Sequence, residues 1–219
     1  MSQIKSKKRV ADHGEVFTSE REINAMLDLV KHETDNIEST FLEPACGSGN
    51  FLSEILKRKL NVVKARYKKN QLDYERYAFI AVSSIYGIEL LEDNAEECRT
   101  NLFNVFDDQY KNLFKHNRKD ELRGSIKFVL EKNIICGDAL TLYTVVGKPV
   151  PIIFSQWSSL GHNKIKRKDF CYKSMIDPPS LSELQLFSDL GEEQYIPTPT
   201  KDYPPLHFLY ISDAESESN

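Results

Sequence analysis

No apolar run in the chain approaches the ~20 residues needed to span a bilayer, and the N-terminus is polar and basic through Arg9, so neither a membrane span nor an export signal is expected. A soluble cytoplasmic protein is the expectation. Cysteine is sparse and scattered. Cys46, Cys98, Cys136 and Cys171 form no Cys-x-x-Cys pair, so free thiols in a reducing cytosol are the simpler reading, and neither metal nor disulfide is expected. Excess positive charge is missing too. A net charge of −4 excludes a global positive field of the kind that coats nucleic acid indiscriminately, and leaves only local basic patches to consider. What is present is an ordinary folding composition: 40% hydrophobic and 28% charged residues set the chain apart from disordered sequences. Its 219 residues suffice for one substantial core, and a doubly wound α/β domain fits that length.

The stretch Phe41 to Leu52 joins an apolar lead-in, a tight glycine turn and a helical restart. Gly47 and Gly49 permit positive φ and let a ligand approach the backbone, while Asn50 to Leu60 resumes an apolar pattern of helical spacing. A helix N-terminus beside bare backbone suits a nucleotide-like ligand, because exposed amides donate to its polar atoms. A glycine turn after a strand also serves simply to turn the chain. The neighbouring segments have to decide between these readings.

Met1 to Asp12 carries Lys5, Lys7, Lys8 and Arg9 with little to bury, and reads as a basic arm, either solvated or in contact with phosphate. Ser19 or Thr18 caps a helix over Glu20 to His32, with Glu22 completing a capping box and Ile23, Met26, Leu27 and Val30 as its apolar stripe. Leu52, Ile55, Leu56, Leu60 and Val63 continue the helix after the glycine turn, and the charged Lys64 to Arg76 reads as a solvated helical hairpin. Gly87-Ile88-Glu89-Leu90 then ends a second parallel strand, where Glu89 can accept hydrogen bonds from both ribose hydroxyls of an adenosyl group. Its separation from Gly49 exceeds the ~20 residues of the minimal dinucleotide pattern, so a lengthened helical segment is expected between them. A helix follows from Glu92 to Asn104, then a polar helix end and loop from Asp107 to Gly124. Lys132 to Leu140 reads as a strand running into the turn Gly137-Asp138-Ala139-Leu140, where an Asp often just bonds its own backbone. Val150 to Phe154 is the fourth strand, Gly161 to Lys168 a basic loop, and Leu206 to Ile211 a final strand or docking segment.

Glu43-Pro44-Ala45-Cys46-Gly47-Ser48-Gly49-Asn50-Phe51-Leu52 closely resembles the first motif of S-adenosylmethionine-dependent DNA methyltransferases that modify exocyclic amino groups, in particular the adenine-specific enzymes of restriction-modification systems. Gly14-Glu15-Val16-Phe17-Thr18-Ser19 is similar to a cofactor-contacting motif of one order class of these enzymes. The resemblance implies that Val16, Phe17 and Thr18 cover the methionine end of S-adenosyl-L-methionine. It likewise implies that Glu43, Pro44, Ala45, Cys46, Gly47, Gly49 and Phe51 line its pocket, that Glu89 and Leu90 meet the ribose, and that Asp138, Ala139 and Leu140 meet the adenine. The implied fold is α/β: a Rossmann-like, mostly parallel sheet flanked by helices on both faces, with an irregular C-terminal part. It divides into an arm at 1–12, a cofactor-binding domain at 13–160 and an extension at 161–219.

The resemblance fails at one place. These methyltransferases carry Asn, Asp or Ser followed by Pro-Pro and an aromatic residue after the fourth strand, to accept hydrogen bonds from the target amine and stack on the base. Here Phe154 leads into Ser155-Gln156-Trp157-Ser158, without the prolines, which makes Ser155 the candidate acceptor and Trp157 the candidate stacking group. Asp177-Pro178-Pro179-Ser180 lacks the aromatic and reads as a loop. Lys164, Lys166, Arg167 and Lys168 are the candidate contacts to DNA phosphates, and a partner subunit is the expected source of target recognition unless that part is missing. Two other readings stay open: a non-catalytic cofactor- or DNA-binding subunit, and a methyltransferase acting on RNA, protein or a small molecule.

Overall fold

The computed structural model describes residues 18–176 and 197–218. The basic arm, Val16, Phe17 and the Asp177-Pro178-Pro179 segment lie outside the described residues. Helix α1 (Glu20–Leu29) opens with the expected capping box: the Ser19 hydroxyl accepts from the Glu22 amide, and the Glu22 carboxylate accepts from the Ser19 amide. Of its predicted stripe only Ile23 and Leu27 are buried; Met26 and Val30 stay exposed, the helix stops at Leu29 and the chain resumes in the short α2 (Lys31–Thr34).

Strand β1 (Phe41–Glu43) leads through the glycine turn into α3 (Asn50–Tyr67), which pairs with α4 (Gln71–Ser83) as a helical hairpin before β2 (Ile85–Glu89). Two helices thus fill the crossover, which accounts for the long interval between Gly49 and Glu89. Asn70 caps α4 by accepting from the Asp73 amide, and Tyr67 stacks on Tyr77 at a 4.1 Å centroid distance to close the hairpin. A second pair, α5 (Glu92–Phe114) and α6 (Asp120–Asn133), bridges β2 to β3 (Ile134–Asp138). The polar stretch 107–124, expected as a helix end and loop, is the last two turns of α5, a short connection with a 3₁₀ turn at Lys115–Asn117, and then the start of α6. Tyr110 in the end of α5 is fully buried and stacked on Phe106.

The first sheet has the order β1-β2-β3-β4, parallel across β1, β2 and β3 and antiparallel at β4 (Tyr143–Thr144). The fold is therefore mixed α/β with a mostly parallel, Rossmann-like sheet. One face, through Ile85 and Ile134, joins the helical core, where Leu52, Ile55, Leu56, Leu60 and Val63 of α3 are at most 1% exposed. Each such burial contributes roughly 1.5–3 kcal/mol. The other face, through Tyr86, Ile88 and Ile135, packs on Ile152, Phe154 and Tyr172. Lys59 is buried on α3, and burial lowers its pKa to about 7. Its ammonium donates to the carbonyls of Ile37 and Ser39 and to the Ser84 hydroxyl, tying the lead-in of β1 to the helices.

Two expected elements differ. The fourth strand is β5 (Ile153–Ser159), which leaves the parallel sheet and pairs antiparallel with β6 (Lys164–Cys171) from Ile153↔Cys171 to Ser159↔Ile165, so the hairpin spans residues on both sides of 160. The basic run is accordingly a strand rather than a loop, with its turn confined to 160–163. Short strands β7 (Lys201–Asp202) and β8 (Leu206–His207) pair with β6 to complete a second, antiparallel sheet. Leu206 to Ile211 is a strand for two residues only. A 3₁₀ segment, Phe208–Ser218, follows and buries Phe208, Leu209 and Ile211 in the main core. Between β6 and β7, Tyr172–Ile176 forms the short α7. No helix among the described residues is long and apolar enough to cross a membrane.

Candidate functional site

The parallel strands β1, β2 and β3 end at Glu43, Glu89 and Asp138, so three acidic side chains mark one edge of the sheet. At this carboxyl edge open α/β sheets form their ligand crevice. The turn after β1 is built of glycine for a steric reason. Gly49 sits at φ 82° as the residue before α3, and a Cβ there would lie 2.5 Å from Cys98 Sγ and 3.3 Å from Cys98 Cα. Gly87, in mid-β2, lets Cys46 approach; a Cβ there would lie 2.8 Å from Cys46 Sγ. At Gly47, φ 53°, a Cβ would meet nothing within 4 Å among the described residues, which leave that side of the turn open. Among the described residues no side chain caps α3, which leaves the amides of its first turn to solvent or a ligand.

Glu89 organises the floor of this crevice. One carboxylate oxygen accepts the Gly47 amide at 2.8 Å; the other accepts the Leu91 amide at 3.0 Å and the Asn94 side-chain amide at 3.5 Å. Glu43 lies beside it. Burial and, secondarily, the Glu89 charge push the Glu43 carboxyl up to about 7, and its Oε2 is buried with no hydrogen-bond partner among the described residues. The Cys46 thiol is raised, first by its hydrogen bond with Cys98 and then by burial, which makes it an inert wall of the turn. At the third strand end, Asp138 accepts the Leu140 amide at 2.8 Å, and this bond holds its carboxyl below the usual range.

The remaining predicted pocket residues lie on these segments. Thr18, Pro44 and Ala45 are exposed, Phe51 packs on the core, and Ala139 packs on the second sheet face. Leu140 is 93% exposed and Leu90 49%, two large apolar side chains standing open beside Asp138 and Glu89. The crevice fits an adenosyl ligand in three respects: open space at Gly47, uncapped helix amides, and a buried acid oxygen awaiting a donor. Two contributors were missed from sequence, Asn94 and Asn101. The latter donates from α5 to the Ser48 carbonyl at 2.9 Å. Their spacing from Cys98 along one helical face was the available signal.

Ser155 and Trp157 are not brought to this crevice. The Ser155 hydroxyl is 2% exposed; it donates to Asp169 at 2.7 Å and accepts from Arg167 at 3.1 Å. Trp157 donates its indole N–H to Asn133, and Asn133 in turn donates to the carbonyls of Ser83 and Ile85. Ile85 begins β2 and Glu89 ends it, so Trp157 sits at the opposite edge of the sheet, roughly 13 Å of strand away.

The predicted basic cluster divides by the alternation of β6. Arg167 points inward, 5% exposed, paired with Asp169 at 2.8 Å and lying over the Tyr203 ring at 4.2 Å. Its guanidinium is therefore occupied within the hairpin. Lys164, Lys166 and Lys168 lie on the other face at every second residue, and Lys166 pairs with Asp202.

A protein-family model described as MmeI, DNA-methyltransferase domain, matches residues 16–146, a span containing the glycine turn, Glu89 and Asp138 and ending before β5. No curated protein and no solved structure matches the chain.

Proposed function

The chain belongs to the MmeI DNA-methyltransferase domain family, a restriction-modification family, and from that premise we propose that it binds S-adenosyl-L-methionine at the glycine turn for methylation of an exocyclic amino group of adenine in DNA. The observation that carries the reading is the convergence of the glycine turn, Glu89 and Asp138 at one sheet edge, with Glu89 already bonded to the turn. In this assignment the first-turn amides of α3 receive the carboxylate end of the ligand, supported by the helix dipole. Glu89 accepts from the ribose hydroxyls and Asp138 from the adenine amine, with Leu90 and Leu140 closing over the ring. Val16, Phe17 and Thr18 cover the methionine end. The bound cofactor supplies an electrophilic methyl group in line with the attacking amine, and the chain's contribution is orientation and exclusion of water.

The lysine row Lys164, Lys166 and Lys168 is the proposed contact to DNA phosphates, without Arg167. A partner subunit supplying target recognition fits the same reading. One observation favours a second reading, a cofactor-binding subunit without chemistry: Ser155 and Trp157 are both committed to structural hydrogen bonds. Calorimetric titration of the full chain with S-adenosylmethionine tests the shared premise. Binding is expected and should weaken about 10- to 100-fold in Glu89→Ala, the effect of deleting a charged hydrogen-bond acceptor; no binding by the unmodified chain would remove both readings. Labelled-methyl transfer to unmethylated DNA then separates them, since intact binding without transfer leaves only the subunit.

A further inference from the structure

Three residues on one face of α5, at spacings of four and three, touch the crevice from below. Asn94 donates to Glu89, the Cys98 sulfur fills the space that a side chain at Gly49 would need, and Asn101 donates to the Ser48 carbonyl. The turn also holds itself: the Gly49 amide donates to the Cys46 carbonyl at 2.8 Å, and the Ser53 amide donates to the Gly49 carbonyl at 2.8 Å. Between these bonds the Ser48 peptide is the element that sets which way the turn presents its amides. Its carbonyl is fixed by Asn101, a residue 53 positions away in sequence. A buried carbonyl that lost this donor would rotate toward another, and a peptide rotation carries the neighbouring amide with it.

We propose that Asn101 is a positioning residue of the cofactor site: by holding the Ser48 carbonyl against α5, it fixes the Ser48–Gly49 peptide, whose N–H is bonded back to the Cys46 carbonyl, and so sets the direction in which the first-turn amides of α3 face the ligand. The inference rests on the cofactor reading above. Asn101 touches no ligand in this assignment and acts only through the turn. Arg99 provides the internal control. It lies on the same helix and donates from Nε and Nη2 to the Ile134 carbonyl at 3.0 and 2.8 Å, holding α5 to β3 at the opposite end of that strand from Asp138.

The test is calorimetric titration of the full-length chain with S-adenosylmethionine, alongside thermal melting and glycine amide resonances of the ¹⁵N-labelled protein. Asn101→Asp keeps the side-chain size and removes the donor; Asn101→Ala removes both. Each should weaken cofactor affinity about 5- to 10-fold and shift the Gly47 and Gly49 amide resonances in the free protein, with a melting temperature close to that of the unmodified chain. Arg99→Gln should lower the melting temperature and leave affinity unchanged. Equal affinity in the unmodified chain and both Asn101 variants overturns the inference alone. So does an affinity loss that Arg99→Gln reproduces in proportion to its lower melting temperature. Absence of binding by the unmodified chain overturns the cofactor reading and this inference with it.

Discussion

The crevice at the carboxyl edge and the β5–β6 hairpin both bury acids, yet they satisfy them differently. In the hairpin, Asp169 receives Arg167, the Ser155 hydroxyl and the Tyr203 hydroxyl, so its charge is neutralised and its lone pairs are used. In the crevice, Glu43 has a carboxylate neighbour in Glu89 and an oxygen that finds no hydrogen-bond partner among the described residues. A completed network of this kind is structural, because it leaves nothing for a ligand to contribute. An incomplete one spends folding stability on a group held ready, which is the usual signature of a binding site.

The sharpest way to break this contrast is to open the hairpin network. Arg167→Ala leaves Asp169 buried without its counter-charge and should cost about 3–5 kcal/mol, read as a lower midpoint in chemical denaturation. The double variant Arg167→Met, Asp169→Leu should lose less than Arg167→Ala alone, since no isolated charge remains. A loss under about 0.5 kcal/mol in Arg167→Ala would show that the pair is not a structural keystone.

Glu43 should behave in the opposite sense. Its folded-state pKa of about 7 lies above the ordinary value of 4.5, so the folded chain binds the extra proton and the charged form opposes folding. The acid is harmless below about pH 4.5 and destabilising once pH rises through 7, by up to about 3 kcal/mol. Glu43→Gln should therefore match the unmodified chain at pH 4.5 and exceed its stability at pH 8. Denaturant melts at the two pH values measure this, and identical pH profiles would place Glu43 in water.

The smallest effect on stability is expected on the outer face of β6. Replacing Lys164, Lys166 and Lys168 by Glu should shift stability by no more than about 0.5 kcal/mol per site while weakening binding to duplex DNA and flattening its salt dependence. An unchanged salt slope would remove this face as the DNA contact.

Much of the crevice was legible in the residues themselves. Positive φ favours glycine at position 49 whatever surrounds it, and the Ser19–Glu22 capping box and the α3 stripe are set by contacts within a few residues. The lengthened crossover was legible as an interval too long for one helix. Less local features were not. A strand's residues alternate between its faces, but the pattern Lys-Ile-Lys-Arg-Lys-Asp does not say which face meets the core, since Arg167 is buried only because Asp169, Ser155, Trp157 and Tyr203 surround it. The same holds for Ser155, whose hydroxyl was free in the sequence and taken in the fold.

Local chemistry in the sequence was thus enough to mark a glycine turn, an acid at each of the next two strand ends and the class of ligand they suit, because each depends on backbone geometry or on neighbours close along the chain. Only the tertiary structure decided that β5 leaves the parallel sheet, that Trp157 anchors its far edge, and that Asn101 reaches back to Ser48. Those outcomes rest on hydrogen bonds and buried charges between residues 24 to 53 positions apart or joined through a second sheet, where the partner rather than the residue sets the role.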